Sequence, residues 1–149
     1  MSLQTDLQEA LKTAMKAKDQ VALASLRAIK SELLLMQTSG GNAELTAEDE
    51  IKLLQKLVKQ RKESAQIFID QNREDLAQPE LAQAAVIEQF LPAQLSEEEV
   101  EVIVKEIIQN GGFSGMQAMG QVMGLANAKL AGRADGKTIS NIVKKILTA

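Results

Sequence analysis

The chain of 149 residues contains no cysteine, histidine, tryptophan or tyrosine, and only two prolines and three phenylalanines. Without cysteine it can form neither a disulfide framework nor a thiol nucleophile. Without cysteine and histidine, a zinc site would need carboxylates alone, which is not the usual ligand set. A carboxylate or a lysine would need a large pKa shift to act as a general base near neutral pH. We therefore expect no metal, no cofactor and no catalytic residue.

Long hydrophobic runs are also missing, since no stretch approaches the roughly 18 apolar residues that span a bilayer. The N-terminal residues lack the basic region and the apolar region of a secretory signal. These features predict a soluble cytoplasmic protein with no membrane partner.

Apolar residues recur at helical spacing throughout the first part of the chain, and β-branched strand patterns are scarce. The spacing predicts an all-α fold whose N-terminal part contains helices over 2–18, 20–37 and 46–71, with a loop over 39–42. A fourth helix is predicted from Pro79, because proline suits a first helical turn, to Phe90. The buried stripe of the first helix is predicted to include Met15, and that of the third to include Ile69.

A boundary is predicted at Leu91–Leu95, which separates an N-terminal domain (1–92) from a C-terminal three-helix domain (96–149). Ser96 and Glu99 form a capping-box pattern at the start of the fifth helix. We expect Gly111-Gly112 to end that helix, Ser114 to open the next and Asp135 to cap the last.

Five short segments carry a recognisable pattern when they are taken in order. They are Lys59–Ser64, Asn72–Leu76, Phe90–Glu99, Met119–Gly124 and Gly132–Lys137. In this order and spacing they resemble the YqeY-like family, which shares the GatB/YqeY domain. No single segment is specific, but the ordered set covers almost the whole chain. Asn72 stands where glycine is expected, and either residue suits a left-handed helix stop.

The resemblance implies that the C-terminal part is similar to the tail domain of the B subunit of tRNA-dependent glutamine amidotransferase. In that enzyme the tail helps to hold the tRNA and performs no chemistry. The family is often classed with carbon–nitrogen ligases that use glutamine as amido-N-donor, because of this shared domain. Gly136-Lys137-Thr138 ends like a phosphate-binding loop but lacks the first glycine and a preceding strand. A helix stop followed by a helix start explains the segment better.

From Gly111 onward the chain carries five cations and one carboxylate, Asp135, a net charge of +4, whereas the preceding helix is acidic. Such a cluster could bind phosphates, although a solvated helix face is the alternative. A second basic run, between Lys52 and Lys62 on the long helix, alternates with acids and is explained by solvated pairing. The candidate RNA-binding residues are Lys129, Arg133, Lys137, Lys144 and Lys145.

The methionines of the sixth helix recur on one stripe, which predicts core packing or, alternatively, an adaptable partner groove. Gly120 and Gly124 would allow another helix to approach closely. We expect a non-catalytic accessory protein of tRNA metabolism that contacts the RNA backbone, since aromatic residues for base stacking are few. The alternative is an adaptor that docks on a translation enzyme, and an enzyme in its own right is the weakest hypothesis. The candidate partner-binding residues are Met116, Met119, Gly120, Met123 and Gly124.

Overall fold

The computed structural model describes residues 3–39 and 44–149, and within them it contains seven α-helices, a short 3-10 helix and no strand. The all-α prediction is confirmed. Ser39 ends the second helix, and the rest of the predicted loop, 40–42, lies outside the described residues. The helices are α1 (Leu3–Ala17), α2 (Gln20–Ser39), α3 (Ala47–Asp70), α4 (Glu74–Glu88), α5 (Glu97–Gly111), the 3-10 helix (Met116–Ala118), α6 (Met119–Lys129) and α7 (Gly136–Leu147).

The chain divides into two compact units, Met1–Leu91 and Pro92–Ala149, called here the N-terminal and C-terminal units. Each has its own cluster of buried apolar residues. Whether the two units fold independently stays a prediction.

In the N-terminal unit α3 packs along α4, and α2 contacts α1, α3 and α4. The core is aliphatic and includes the fully buried Ile29 and Ile87. Side chains cap the starts of α2 and α3. The Asp19 carboxylate accepts a hydrogen bond from the Ala22 amide at 3.0 Å. Thr46 and Asp49 form a reciprocal capping box, each backbone N–H donating to the other side chain at 3.1 Å.

Asn72 ends α3 in the left-handed conformation predicted for it, with φ of 60°. The amide of the next residue, Arg73, donates to the Phe68 carbonyl at 2.7 Å, which closes the helix end. Asparagine tolerates this conformation better than most residues, so it replaces the expected glycine at little cost.

Three predictions for the N-terminal unit are wrong. Helix α4 begins at Glu74 rather than at Pro79, so proline lies inside it and removes one hydrogen bond. Packing outweighs this loss, because Ala77, which precedes the proline, is buried. Met15 is exposed because a stripe spaced by four residues drifts by about 40° per step around a helix of 3.6 residues per turn, so Ala14 takes the buried position. Ile69, in the last turn of α3, is also exposed.

In the C-terminal unit α5, α6 and α7 pack pairwise around a core that includes Val104, Val122 and Val143, all fully buried. The capping box of α5 is confirmed, because the Glu99 amide donates to the Ser96 hydroxyl at 3.2 Å. Gly112 caps the helix C-terminus with φ of 64°, as predicted.

Two predictions for the start of α6 are wrong. Ser114 caps no helix; a 3-10 turn follows Gly115, whose φ of 73° sets the chain direction there. Met116, predicted to lie on the buried stripe, is 46% exposed because it belongs to that turn and not to the regular helix. Asp135 does precede α7 with extended backbone, but its side chain forms no capping hydrogen bond.

Candidate nucleic-acid interface

The five predicted RNA-binding cations lie on two helices and one turn of the C-terminal unit. Lys129 ends α6, Arg133 lies in the following turn, and the other three are on α7. Lys137 and Lys144 are seven residues apart, which places them two turns apart on the same helix face. The opposite face of α7 is buried through Ile139 and Val143, so packing fixes which side carries the charges.

Two of the five cations contact acidic residues of α5. The Lys129 ammonium lies 3.8 Å from a carboxylate oxygen of Glu106. The Lys145 ammonium lies 4.0 Å from Glu101, which also pairs with Lys105 at 3.3 Å. For Lys129 and Lys145, therefore, the acidic helix offsets part of the positive potential.

The other three cations, Arg133, Lys137 and Lys144, are exposed and form no ion pair with any described residue. Helix α7 itself contains no acid, so its three lysines give it a charge of +3. The Arg133 side chain donates from Nε to the carbonyl of Ala93 at 3.3 Å. Because a backbone carbonyl is neutral, that bond leaves the positive charge of the guanidinium uncompensated.

Sequence reasoning missed a set of hydrogen bonds that joins residues 92–95, called here the strap, to the turn after α6. The Gln94 amide nitrogen donates to the carbonyls of Pro92 at 2.8 Å and Gly132 at 2.7 Å. The Leu95 amide donates to the Arg133 carbonyl at 2.8 Å. Both partners lie in segments that carry the family resemblance, which was the available signal. Because the two segments are far apart in the sequence, the sequence alone did not show that they contact each other.

The cations of α3 provide a contrast within the same chain. Lys52 pairs with Glu48 at 3.1 Å and Lys62 with Glu88 of α4. The guanidinium of Arg61 donates to Gln83 of α4 at 3.1 Å and to the Leu57 carbonyl at 3.2 Å. Lys52 therefore shows the solvated pairing predicted for this run, whereas Arg61 and Lys62 contact α4. Lys56 and Lys59 are exposed and form no ion pair with any described residue, but they lie on a helix that also carries five acids.

Of the predicted partner-binding residues, Met119 and Met123 pack against the core of the C-terminal unit. Met116 is exposed, and a Cβ placed on Gly120 or Gly124 would meet no atom within 4 Å. The exposed face of α6 through these glycines carries no charged residue. The methionine stripe predicted for this helix thus splits into a core part and an open part.

Other kinds of site find little support in the described parts of the chain. There, no group of three or more acidic residues is arranged to hold a metal ion. No helix among residues 3–39 and 44–149 combines the length and the apolar character that a membrane span requires.

Comparison with known proteins decides the family. The model of the family described as Yqey-like protein matches residues 4–147. The chain belongs to this family. The resemblance inferred from the ordered segments is thereby confirmed over nearly the full chain.

Archaeal amidotransferase proteins are one kind of relative that is similar to this YqeY-like chain. The E subunit of glutamyl-tRNA(Gln) amidotransferase from Thermococcus gammatolerans is 39% identical over 102 residues, covering 66% of this chain and 16% of that protein. Its counterpart from Methanococcus maripaludis is 30% identical over 152 residues, covering 99% of this chain and 24% of that protein. This chain therefore spans a small part of the archaeal relatives.

A fungal relative is nearer in length. Altered inheritance of mitochondria protein 41, mitochondrial, of Pyrenophora tritici-repentis is 31% identical over 148 residues, which are 96% of this chain and 80% of that protein. The name assigns that relative to mitochondria; the compartment of this chain stays a prediction.

Proposed function

We propose that this YqeY-like chain is a non-catalytic tRNA-binding accessory protein that contacts the tRNA backbone through its C-terminal unit. One observation carries the proposal. Arg133, Lys137 and Lys144 are exposed and have no acidic partner among the described residues, whereas Lys129 and Lys145 approach acids of α5. We assign these three residues, called here the open cations, to phosphate binding, and Lys129 and Lys145 to a weaker, supporting role.

The geometry of α7 suits a backbone contact. Lys137 and Lys144 are separated by two turns, about 10 Å along the helix axis, so they can reach two different phosphates. Arginine adds a planar donor that matches a phosphate with two hydrogen bonds. Only three aromatic residues are present, which favours recognition of a folded RNA by charge and shape over base stacking. The names of the archaeal relatives, which contain tRNA, support tRNA as the RNA class.

The test is a titration of the purified chain against bulk tRNA at low salt. Lys137→Glu combined with Lys144→Glu should weaken binding by at least about tenfold, since two phosphate contacts become repulsions. Lys56→Glu with Lys59→Glu on α3 changes the net charge equally and serves as the matched control. Equal losses from both double variants would indicate non-specific attraction and would refute the assigned face.

We also infer that the chain alone catalyses neither glutamine hydrolysis nor ATP hydrolysis. The support is its lack of cysteine and histidine and the absence of a phosphate-binding loop pattern in its sequence. Repurified protein should release no ammonia from glutamine and no phosphate from ATP. Activity that co-purifies with the chain through two independent columns would overturn this inference.

A second candidate function, an adaptor that docks on a translation enzyme, is favoured by the open face of α6. Gly124→Glu tests it without disturbing the core, because a Cβ at this position meets open space. The variant should keep the melting temperature and lose binding to a purified tRNA-dependent amidotransferase. Unchanged binding would remove this face from consideration.

We propose the cytoplasm as the compartment, because a chain without cysteine requires no oxidising environment to fold. Cell fractionation tests this proposal. A pool confined to an organelle, as the fungal relative's name implies for that relative, would contradict it.

A further inference from the structure

Gln94 makes a long-range side-chain contact to the turn after α6. It is uncharged, exposed and lies outside the predicted basic face. Its amide nitrogen donates both to the Pro92 carbonyl within the strap and to the Gly132 carbonyl, 38 residues further along the chain. Gly132 has φ of 73°, so the bond fixes a left-handed residue directly before Arg133.

Two further hydrogen bonds surround this one and make the arrangement reciprocal. The Leu95 amide donates to the carbonyl of Arg133, and Arg133 returns a bond from Nε to the Ala93 carbonyl. The turn is also anchored in the core, since Leu130 and Ala134 on either side of it are buried. The strap therefore holds both the backbone and the side chain of Arg133.

The Nε bond affects what the guanidinium can do. An arginine side chain at a surface samples many rotamers, and ordering it costs free energy on binding. With Nε bonded to the strap, the two terminal nitrogens make no hydrogen bond to any described residue and stay available as a fork. A preoriented fork loses less entropy when it binds a phosphate.

We propose that Gln94 is a positioning residue for RNA binding, which acts by holding the strap against the turn and so orients Arg133 toward a backbone phosphate. This inference rests on the proposed function. It assigns a role in tRNA affinity to a neutral side chain that contacts no phosphate itself.

The test is a double-mutant cycle measured by tRNA titration. Gln94→Met preserves side-chain length and removes the donor, and Arg133→Ala removes the fork. Each single variant should weaken binding by about fivefold and reduce the magnitude of the log–log salt slope by about one, the signature of one lost phosphate contact. The double variant should be no weaker than Arg133→Ala. Gln109→Ala, at an exposed glutamine of the same unit, is the matched control and should match wild type.

A purely structural role for Gln94 would give a different pattern. In that case Gln94→Met would weaken tRNA binding by the same factor whether it is added to Arg133→Ala or to Lys144→Ala. We expect it to weaken tRNA binding only when it is added to Lys144→Ala. Melting curves for all variants, and Gln94→Ala as a second substitution, guard against unfolding. Multiplicative losses from Gln94→Met and Arg133→Ala, or wild-type affinity in Gln94→Met, would overturn the inference while leaving the proposed function intact. A wild-type chain that binds no tRNA at low salt would overturn both.

Discussion

Helices α3 and α7 both present lysines to solvent, yet their charges have different surroundings. Helix α3 carries five cations and five acids, so its net charge is zero, and two of its cations form ion pairs, one along the helix and one with α4. Helix α7 carries three lysines and no acid. Acids near a surface cation reduce the positive potential around it, although each exposed ion pair adds little stability. A helix face without acids keeps its full positive potential and so its attraction for phosphate. On the proposed function, the acids around a basic run, more than its length, determine whether the run can bind nucleic acid.

The largest expected effect comes from one isoleucine in each core. Ile87 is fully buried in the N-terminal unit and Ile139 is nearly so in the C-terminal unit. Each change to alanine should cost about 3 kcal/mol of unfolding free energy by leaving a cavity. If the units fold independently, Ile87→Ala should lower only one calorimetric transition and spare tRNA affinity at temperatures where the chain is folded. A single transition that shifts equally in both variants would instead show one cooperative body.

A smaller effect is expected when the strap is removed. The fragment 92–149 retains the three hydrogen bonds between the strap and the turn, which involve Gln94, Leu95 and Arg133, and the fragment 96–149 loses them. We expect the shorter fragment to be less stable by about 2 kcal/mol in urea unfolding, since exposed hydrogen bonds contribute about 0.5–1 kcal/mol each. Equal midpoints would mean that the strap does not stabilise the C-terminal unit.

Gly124→Ala should change stability by less and in the opposite direction. The residue lies within α6, and a Cβ there meets open space. Alanine is favoured over glycine inside a helix by about 1 kcal/mol, so the C-terminal unit should melt later. A lower melting temperature would show that the α6 face is covered, for example by a second copy of the chain.

The smallest effect concerns acid and the capping box of α3. Hydrogen bonds from the backbone and side chain of Thr46 lower the pKa of Asp49. Its stabilising contribution is therefore complete above the unfolded pKa of about 3.9 and is lost as the pH falls through the lower folded pKa. Asp49→Asn should weaken the dependence of the N-terminal melting midpoint on pH below about 4. If the melting midpoint of Asp49→Asn depended on pH as in the wild type, other carboxylates would be responsible for the loss of stability in acid.

Local signals made much of the fold predictable. The capping box at Ser96 and the left-handed stop at Asn72 act within a few residues, and both were predicted correctly. The start of α4 was predicted wrongly. A proline indicates the first turn of a helix only when packing does not add helical residues before it. Burial was also misjudged at two methionines. Met15 is exposed because residues spaced by four drift around a helix of 3.6 residues per turn, and Met116 is exposed because periodicity does not reveal that a 3-10 turn precedes the regular helix.

The candidate site was predictable as a set of residue types and not as an arrangement. Net charge identified the basic C-terminal part, but only tertiary packing brings Glu101 to Lys145 and Glu106 to Lys129. The contact between Gln94 and Gly132 likewise depends on the packing of segments far apart in sequence. Contacts of this kind can be recognised only in the three-dimensional structure, because in the sequence each partner is an ordinary polar or charged residue.

The central claim, that the open cations bind tRNA phosphates, is tested most directly by the salt dependence of tRNA affinity. For three contacts, the plot of log affinity against log salt should have a slope of about −3. Neutralising Lys137 and Lys144 to alanine should bring the slope to about −1, whereas Lys56→Ala with Lys59→Ala, which removes the same charge from α3, should leave it near −3. Equal slopes for the two double variants would contradict the account.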